Sequence, residues 1–181
     1  MGTVTQVAAL ILFPRISKVV GRKNVYTIAC ILTVLGFGGM FIVSGMGNSI
    51  LLCLAGIAYN IGVGLINGAT TVMISNSVDY GEYKMGKRSE SIIFSAQTFI
   101  VKFSTAFSGL IIGFGLKLIK YVPNATQTAS TIFGMRAIMF LIPAILMVIC
   151  AVIYSKYYKL HGKFYSDVMK TLEERREKAA V

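Results

Sequence analysis

Acidic residues are scarce in this chain, which has 7 Asp and Glu against 18 Lys and Arg. Asp79, Glu82 and Glu90 share one polar stretch and the other acids follow position 166, so the long apolar stretches contain none. The single histidine, His161, also lies outside those stretches. Acid–base or metal catalysis needs convergent groups, and the sequence has no such cluster. We therefore predict no catalytic residue and no metal site, and we exclude an enzyme.

Cysteine is also rare. The chain has 3 cysteines, Cys30, Cys53 and Cys150, and each lies within an apolar run. Free cysteine in such surroundings behaves as a small hydrophobic residue. The pattern therefore predicts no disulfide bond.

Long apolar runs dominate what is present: 55% of residues are hydrophobic, 14% are charged and the mean hydropathy is +0.72. A helix needs about 20 apolar residues to cross a bilayer. Residues 25–43, 50–77, 90–117 and 131–154 meet that length. Residues 4–13 reach Pro14 and Arg15 too early, and they lack the basic start of a signal peptide. We expect an all-α polytopic membrane protein with about five transmembrane helices, the first of them truncated.

Positive charge alternates along the chain. One basic group lies in the expected turn at 14–23, a second at 84–88, and a third follows from Lys156, whereas the intervening connections hold only Lys117 and Lys120. This alternation follows the positive-inside rule and places the basic connections and the C-terminus in the cytoplasm. The net charge of +11 thus indicates membrane topology, and we predict no nucleic-acid partner. Residues 156–181 are expected to form a cytoplasmic tail with a short, solvated charged helix, or one that contacts anionic lipid.

One stretch combines charge with a long apolar helix. Residues 79–90 are expected to form a polar loop that carries three acids and three cations. In the helix that follows, small or polar residues recur at spacings of three and four and therefore share one face. They are Ser91, Ser95, Thr98, Lys102, Thr105 and Gly109.

Lys102 is the most informative residue of that stripe. It lies about 20 Å along the helix, past the middle of a core roughly 30 Å thick. A lysine at that depth costs about 2.5–3.5 kcal/mol on insertion scales, so its stripe should face protein or water. Two alternatives remain open: the side chain extends outward to the interface, or the stripe only packs helices together.

These residues carry a family resemblance. The matching motif is Asp79-Tyr-Gly-Glu-Tyr-Lys84, Gly86, Arg88-Ser-Glu90, Gln97-Thr98 and Lys102. It resembles the glycoside–pentoside–hexuronide:cation symporters, the melibiose-permease-like branch of the major facilitator superfamily. The likeness extends from about residue 5 to 170, and this stretch resembles the last five of the family's twelve helices. Residues 1–155 would then be a partial C-terminal transmembrane bundle.

The resemblance implies a cation-coupled sugar symporter that works by alternating access. It implies that Gln97, Thr98, Val101 and Lys102 line the substrate cavity. A glycoside, pentoside or hexuronide would be the substrate. The resemblance places the coupling cation, Na⁺ or H⁺, mainly in the N-terminal six-helix bundle, and it implies no other cofactor. Salt bridges that close the cytoplasmic side would come from Asp79, Glu82, Lys84, Arg88 and Glu90.

Several alternatives stay open. Gly56, Asn60, Gly64 and Asn67 recur at helical spacing, and the two asparagines either pack helices together or line the cavity. The loop at 79–90 is either a gate or a structural connection. The chain is either part of a symporter, a transport-inactive membrane fragment, or a small autonomous transporter that works as a homo-oligomer. An autonomous transporter would need an intramembrane acid of its own to couple transport to a cation, and the interiors of the predicted spans contain none.

Overall fold

The computed structural model describes residues 2–158, 160 and 162–179, and every regular element in that part of the chain is helical. The elements are α1 (Gly2–Val20), α2 (Arg22–Val43), α3 (Ser49–Met85), α4 (Glu90–Leu118), α5 (Ala129–Arg136), a π-helical segment (Ala137–Leu141), α6 (Ile142–Tyr157) and α7 (Gly162–Ala179). The segment Ala129–Tyr157 is long enough to cross a membrane, as are α1, α3, α4 and nearly all of α2. The predicted all-α class with five membrane helices is confirmed.

The first helix extends further than the sequence predicts. α1 continues through Pro14 to Val20 and is 19 residues long. Proline removes one backbone hydrogen bond, and membrane helices tolerate that loss. The chain instead breaks at Gly21, whose φ of 86° is strained for any residue with a Cβ. The expected turn at 14–23 is therefore reduced to Gly21.

The third helix is also longer than expected. α3 has 37 residues and is therefore about 55 Å long, which exceeds a bilayer core of about 30 Å. Residues 79–85, expected in a loop, form its final turns, and the connection shortens to 86–89. The loop prediction was wrong because charged residues mark where a helix leaves the membrane, not where it ends. Gly86, with a φ of 69°, ends α3, and its N–H donates to the carbonyl of Glu82 at 2.8 Å.

The core lies where α3 packs against α1 and α2. Ala9 and Phe13 of α1, Val25 and Ala29 of α2, and Leu65 and Ala69 of α3 form one buried cluster. Small residues set the helix separation, because they let backbones approach closely. A Cβ at Gly64 would lie 2.8 Å from the Ala9 Cβ, and one at Gly62 would lie 2.9 Å from the Ala29 carbonyl oxygen.

The remaining elements surround this core. The π-helical segment and α6 lie against α2, and α7 lies against α3. The π-helical segment directly precedes Ile142 and Pro143, where the proline cannot donate the usual helical hydrogen bond. Arg136 at the end of α5 donates to the Ser44 carbonyl at 2.9 Å and so ties this span to the α2–α3 turn.

α4 stands at the periphery. None of its residues is buried. Its first turns approach α3, where a Cβ at Gly81 would lie 3.9 Å from the Ile93 Cδ1. Its far end meets α5, where the Thr131 hydroxyl donates to the Ile119 carbonyl at 3.0 Å. The middle of α4, with Lys102, is left exposed.

Candidate functional site

The first part of the candidate site is an ionic cluster where α3, the 86–89 connection and α7 meet. We call this end of the molecule the basic end. The cluster consists of Asp79, Glu82, Arg88, Glu90 and Arg176. Four of these five were predicted to form salt bridges together, and the structure brings those four into one network.

Arg88 is the centre of that network. Its Nη1 lies 3.5 Å from an Asp79 carboxylate oxygen and 3.2 Å from the Glu82 Oε2. Its Nε donates to the Glu90 Oε1 at 2.7 Å, and its Nη2 contacts the same oxygen. The hydrogen bond to Glu90 raises the pKa of the Arg88 guanidinium. One cation thus links the end of α3 to the start of α4.

Glu82 holds a second cation from the tail. The Nη2 of Arg176 donates to the Glu82 Oε2 at 2.7 Å, and its Nε donates to the Oε1 at 3.2 Å. This paired geometry is the specific way in which a guanidinium recognises a carboxylate. The hydrogen bond to Glu82 raises the pKa of Arg176. Glu82 therefore joins α3, the connection and α7.

Asp79 is the most buried acid of the cluster. The residue is 8% exposed. The Tyr165 hydroxyl donates to its Oδ2 at 3.0 Å, and Arg88 approaches its Oδ1. A buried carboxylate needs such partners to offset its lost hydration.

α7 packs on α3 through one apolar face, while residues 173–177 of the predicted charged run are exposed. Val168 and Leu172 are each 2% exposed. Arg175 donates to the Tyr83 carbonyl at 2.9 Å, and its guanidinium lies 5.4 Å from the Tyr83 ring centroid. The helix also begins at Gly162, before the acidic and basic run from which it was predicted.

Sequence reasoning missed Tyr165, Arg175 and Arg176 as members of this site. A signal for them was present, because Phe164, Val168 and Leu172 recur every four residues and form an apolar stripe on a charged helix. Such a stripe indicates a helix that packs against another element.

Lys84 does not join the cluster. The residue is exposed, and the structure gives it no ion pair within the described residues. Lys84 lies two positions after Glu82 in a helix, which rotates its side chain about 200° away from that of Glu82. The structure therefore joins four of the five predicted residues by ion pairs and leaves Lys84 outside.

The second part of the candidate site is the polar stripe of α4. Gln97 is half-buried, whereas Thr98, Val101 and Lys102 are exposed. Thr98 donates to the Phe94 carbonyl at 2.9 Å. Ser91, Phe94, Ser95 and Thr98 line a shallow, open depression of about 440 Å³. The stripe thus faces away from the described part of this chain.

Lys102 has no carboxylate near it in the described structure. Its nearest acid along the helix is Glu90, about 18 Å away, and Glu90 is already paired with Arg88. The described spans place no other acid at the depth of Lys102.

The two asparagines of α3 differ. Asn60 is half-buried, and its side chain donates to the Gly56 carbonyl of its own helix at 2.7 Å. A Cβ at Gly2 would lie 2.9 Å from the Asn60 Nδ2, so this side chain faces the start of α1. Asn67 is exposed. Their predicted roles in packing or in a cavity stay predictions.

The fold is that of a multi-pass α-helical membrane protein with a polar stripe on an exposed helix and an ionic network at one end. The family follows from comparison with known proteins. The chain belongs to the family described as MFS/sugar transport protein, whose model matches residues 1–161. The resemblance inferred from the motif is confirmed. Because this is a transporter family, the chain is not an enzyme.

Similar proteins include three bacterial carriers. The uncharacterized symporter YjmB of Bacillus subtilis (strain 168) is 32% identical over 92% of this chain and 36% of its own length. The glucuronide carrier protein homolog of Escherichia coli (strain K12) is 30% identical over 94% of this chain and 37% of its own. The isoprimeverose transporter of Lactiplantibacillus pentosus is 28% identical over 88% and 34%. The chain thus spans about a third of the length of the curated relatives it matches.

Proposed function

We propose that this chain forms the C-terminal part of a cation-coupled sugar symporter that moves glycosides, pentosides or hexuronides by alternating access. The observation that carries the proposal is the exposed polar stripe of α4 with Lys102 in it. In such carriers two bundles rock about a site near the middle of the membrane. The names of two relatives, a glucuronide carrier homolog and an isoprimeverose transporter, support a carbohydrate substrate.

Lys102 would act opposite an acid from the other bundle. Membrane charges pair with each other or shift their pKa, and the described spans offer Lys102 no acid. An N-terminal six-helix bundle would supply that acid and would hold the Na⁺ or H⁺. Gln97, Thr98 and Val101 would line the same side of the sugar cavity, since they share or flank the face of Lys102.

The ionic cluster would bias the carrier between its two states. Arg88 holds Asp79, Glu82 and Glu90 within a few residues of the α3–α4 connection. Contacts that form in one conformation and break in the other shift the balance between them. We assign this network to closure of the side that carries the basic residues, which the positive-inside rule makes cytoplasmic. Reporter fusions after Lys87 should therefore give a cytoplasmic signal; an external signal would invert this topology.

The decisive test is a chimera in which this chain replaces the aligned segment of the glucuronide carrier homolog. Glucuronide uptake should depend on a Na⁺ or H⁺ gradient in membrane vesicles. Lys102→Ala should reduce that uptake at least tenfold, because it leaves the opposing acid without its counter-charge. Lys102→Arg should restore only part of it, since a planar guanidinium does not replace a compact ammonium.

Phe103→Ala is the matched control. Phe103 follows Lys102 on α4, is 61% exposed and stacks only on aromatic neighbours of its own helix in the described structure. Its loss should leave uptake near the parental level. Normal coupled uptake by the Lys102→Ala chimera would disprove the role of Lys102, and gradient-driven uptake by this chain alone would favour the autonomous homo-oligomer.

A further inference from the structure

A groove runs along the outside of the bundle between α2 and α6. It is lined by no residue of the ionic cluster or of the α4 stripe. It has a volume of about 340 Å³. Its walls are aliphatic: Ile31, Val34 and Leu35 of α2 face Val148, Ala151 and Val152 of α6. From Leu35 to Thr27 it extends for about 12 Å along the helix. An aliphatic groove of this size fits a hydrocarbon chain better than a sugar.

One end of the groove is polar. Thr27 and Ser155 line it there, and each hydroxyl donates to a carbonyl of its own helix, Thr27 to Lys23 at 3.2 Å and Ser155 to Val152 at 2.9 Å. The groove therefore changes from aliphatic to polar toward the basic end. A lipid of the leaflet at that end would have the same polarity, with its tail in the aliphatic part and its headgroup at the polar end.

Two lysines lie just beyond this polar end. The rings of Tyr26 and Tyr154, 4.1 Å apart, fix the register of the antiparallel α2 and α6. Lys23 is one turn before Thr27 on α2, and Lys156 is one turn after Val152 on α6. Each lysine therefore shares a helix face with a groove-lining residue and lies nearer to the basic end. Among the described residues, neither ammonium pairs with a carboxylate.

We propose that this groove binds an anionic phospholipid of the leaflet at the basic end. One acyl chain lies between α2 and α6, and the headgroup phosphate lies between Lys23 and Lys156. Charge complementarity selects this occupant, because basic positions between transmembrane helices attract anionic headgroups. The site requires no transport activity, so it stands independently of the symporter proposal.

Native mass spectrometry of the purified chain tests the headgroup contact. Phosphatidylglycerol and phosphatidylcholine with identical acyl chains are added in turn. The chain should retain one phosphatidylglycerol at concentrations where phosphatidylcholine is lost. The double variant Lys23→Ala/Lys156→Ala should weaken phosphatidylglycerol binding about tenfold. Lys23→Arg/Lys156→Arg should retain it.

A matched double variant, Lys117→Ala/Lys120→Ala, removes the same charge at the opposite end and should change nothing. The aliphatic wall is tested by Ala151→Phe, which fills the groove and should abolish the retained adduct. Ala106→Phe adds the same ring to the exposed α4 and should not. Circular dichroism verifies that each variant is folded. Equal retention of both lipids, or equal losses in both lysine pairs, would overturn the proposed site.

Discussion

α3 and α4 are both long apolar helices that carry a stripe of small or polar residues, and the two stripes have different surroundings. On α3 the buried glycines are Gly62, Gly64 and Gly68, which lie against α1 and α2, each within reach of a neighbouring side chain or backbone. The stripe of α4 is exposed along its middle, and a Cβ added at Gly109 or Gly113 would have nothing within 4 Å of it.

The difference shows how similar patterns serve different purposes. Small uncharged residues let two helices come close together, and the resulting van der Waals packing favours helix association in lipid. A stripe that contains Lys102 gains nothing from that contact, because a buried ammonium needs a counter-charge. α3 therefore completes the packing of the described chain, whereas the stripe of α4 stays exposed in it.

The largest effect on packing is expected at Gly64. In Gly64→Leu the new side chain would overlap the Gln6 carbonyl and lie 2.8 Å from the Ala9 Cβ, so α1 must move away from α3. We expect a loss of about 3 kcal/mol in the free energy of unfolding, the upper end for overpacked cores. Unfolding in mixed micelles with increasing SDS, followed by circular dichroism, measures it.

Gly56→Leu is the control for that experiment. Gly56 lies on the same helix, two turns away, and has open space around its Cβ position. Its substitution should change the unfolding free energy by less than about 0.5 kcal/mol. Equal losses in both variants would show that the close contact at Gly64 does not hold α1 in place.

A smaller and more local effect is expected at Leu172. It is 2% exposed in the contact between α7 and α3. Leu172→Ala should weaken the docking of α7 by about 2 kcal/mol, the lower end for a buried leucine, because α7 has only a narrow apolar face. Hydrogen exchange of the α7 amides should accelerate while α2 and α3 stay protected. Lys170→Ala, on the exposed side of α7, should leave exchange unchanged; acceleration in both would contradict this docking.

Much of the architecture follows from composition. The all-α class and the number of membrane helices could be predicted, because about 20 apolar residues between polar connections have few other solutions. The ends of the helices were harder. The charged residues at 79–85 suggested a loop, yet α3 continues through them. A helix that has left the bilayer can carry charged residues without ending. Pro14 suggested an end, whereas Gly21 provides it.

The site was predicted as a group of residues that form salt bridges, without the pairing of each cation with its acids. The motif identified Asp79, Glu82, Arg88 and Glu90, and these do meet. It included Lys84, which the helical form of residues 79–85 turns away. It omitted Arg176 because nothing local in sequence links position 176 to position 82. Only the docking of α7 brings them together, and that docking depends on an apolar stripe hidden within a charged run.

The smallest effect is expected on removing the charge of Glu82, whose ion pairs with Arg88 and Arg176 lie at the surface of the molecule. Glu82→Gln keeps the size of the side chain and removes its charge, while Val168 and Leu172 still hold α7. Hydrogen exchange of α7 should accelerate only about two- to fivefold, as expected for a surface ion pair. The difference from the parent should vanish in 1 M salt, where the screening length falls to about 3 Å.

Lys84→Gln, two residues further along the same helix, changes the charge by the same magnitude without touching the network and should have no effect at either salt concentration. An effect of Glu82→Gln as large as that of Leu172→Ala would mean that charge, and not the apolar face, fixes the tail. α3 would then depend on its charges, as we propose that α4 depends on Lys102.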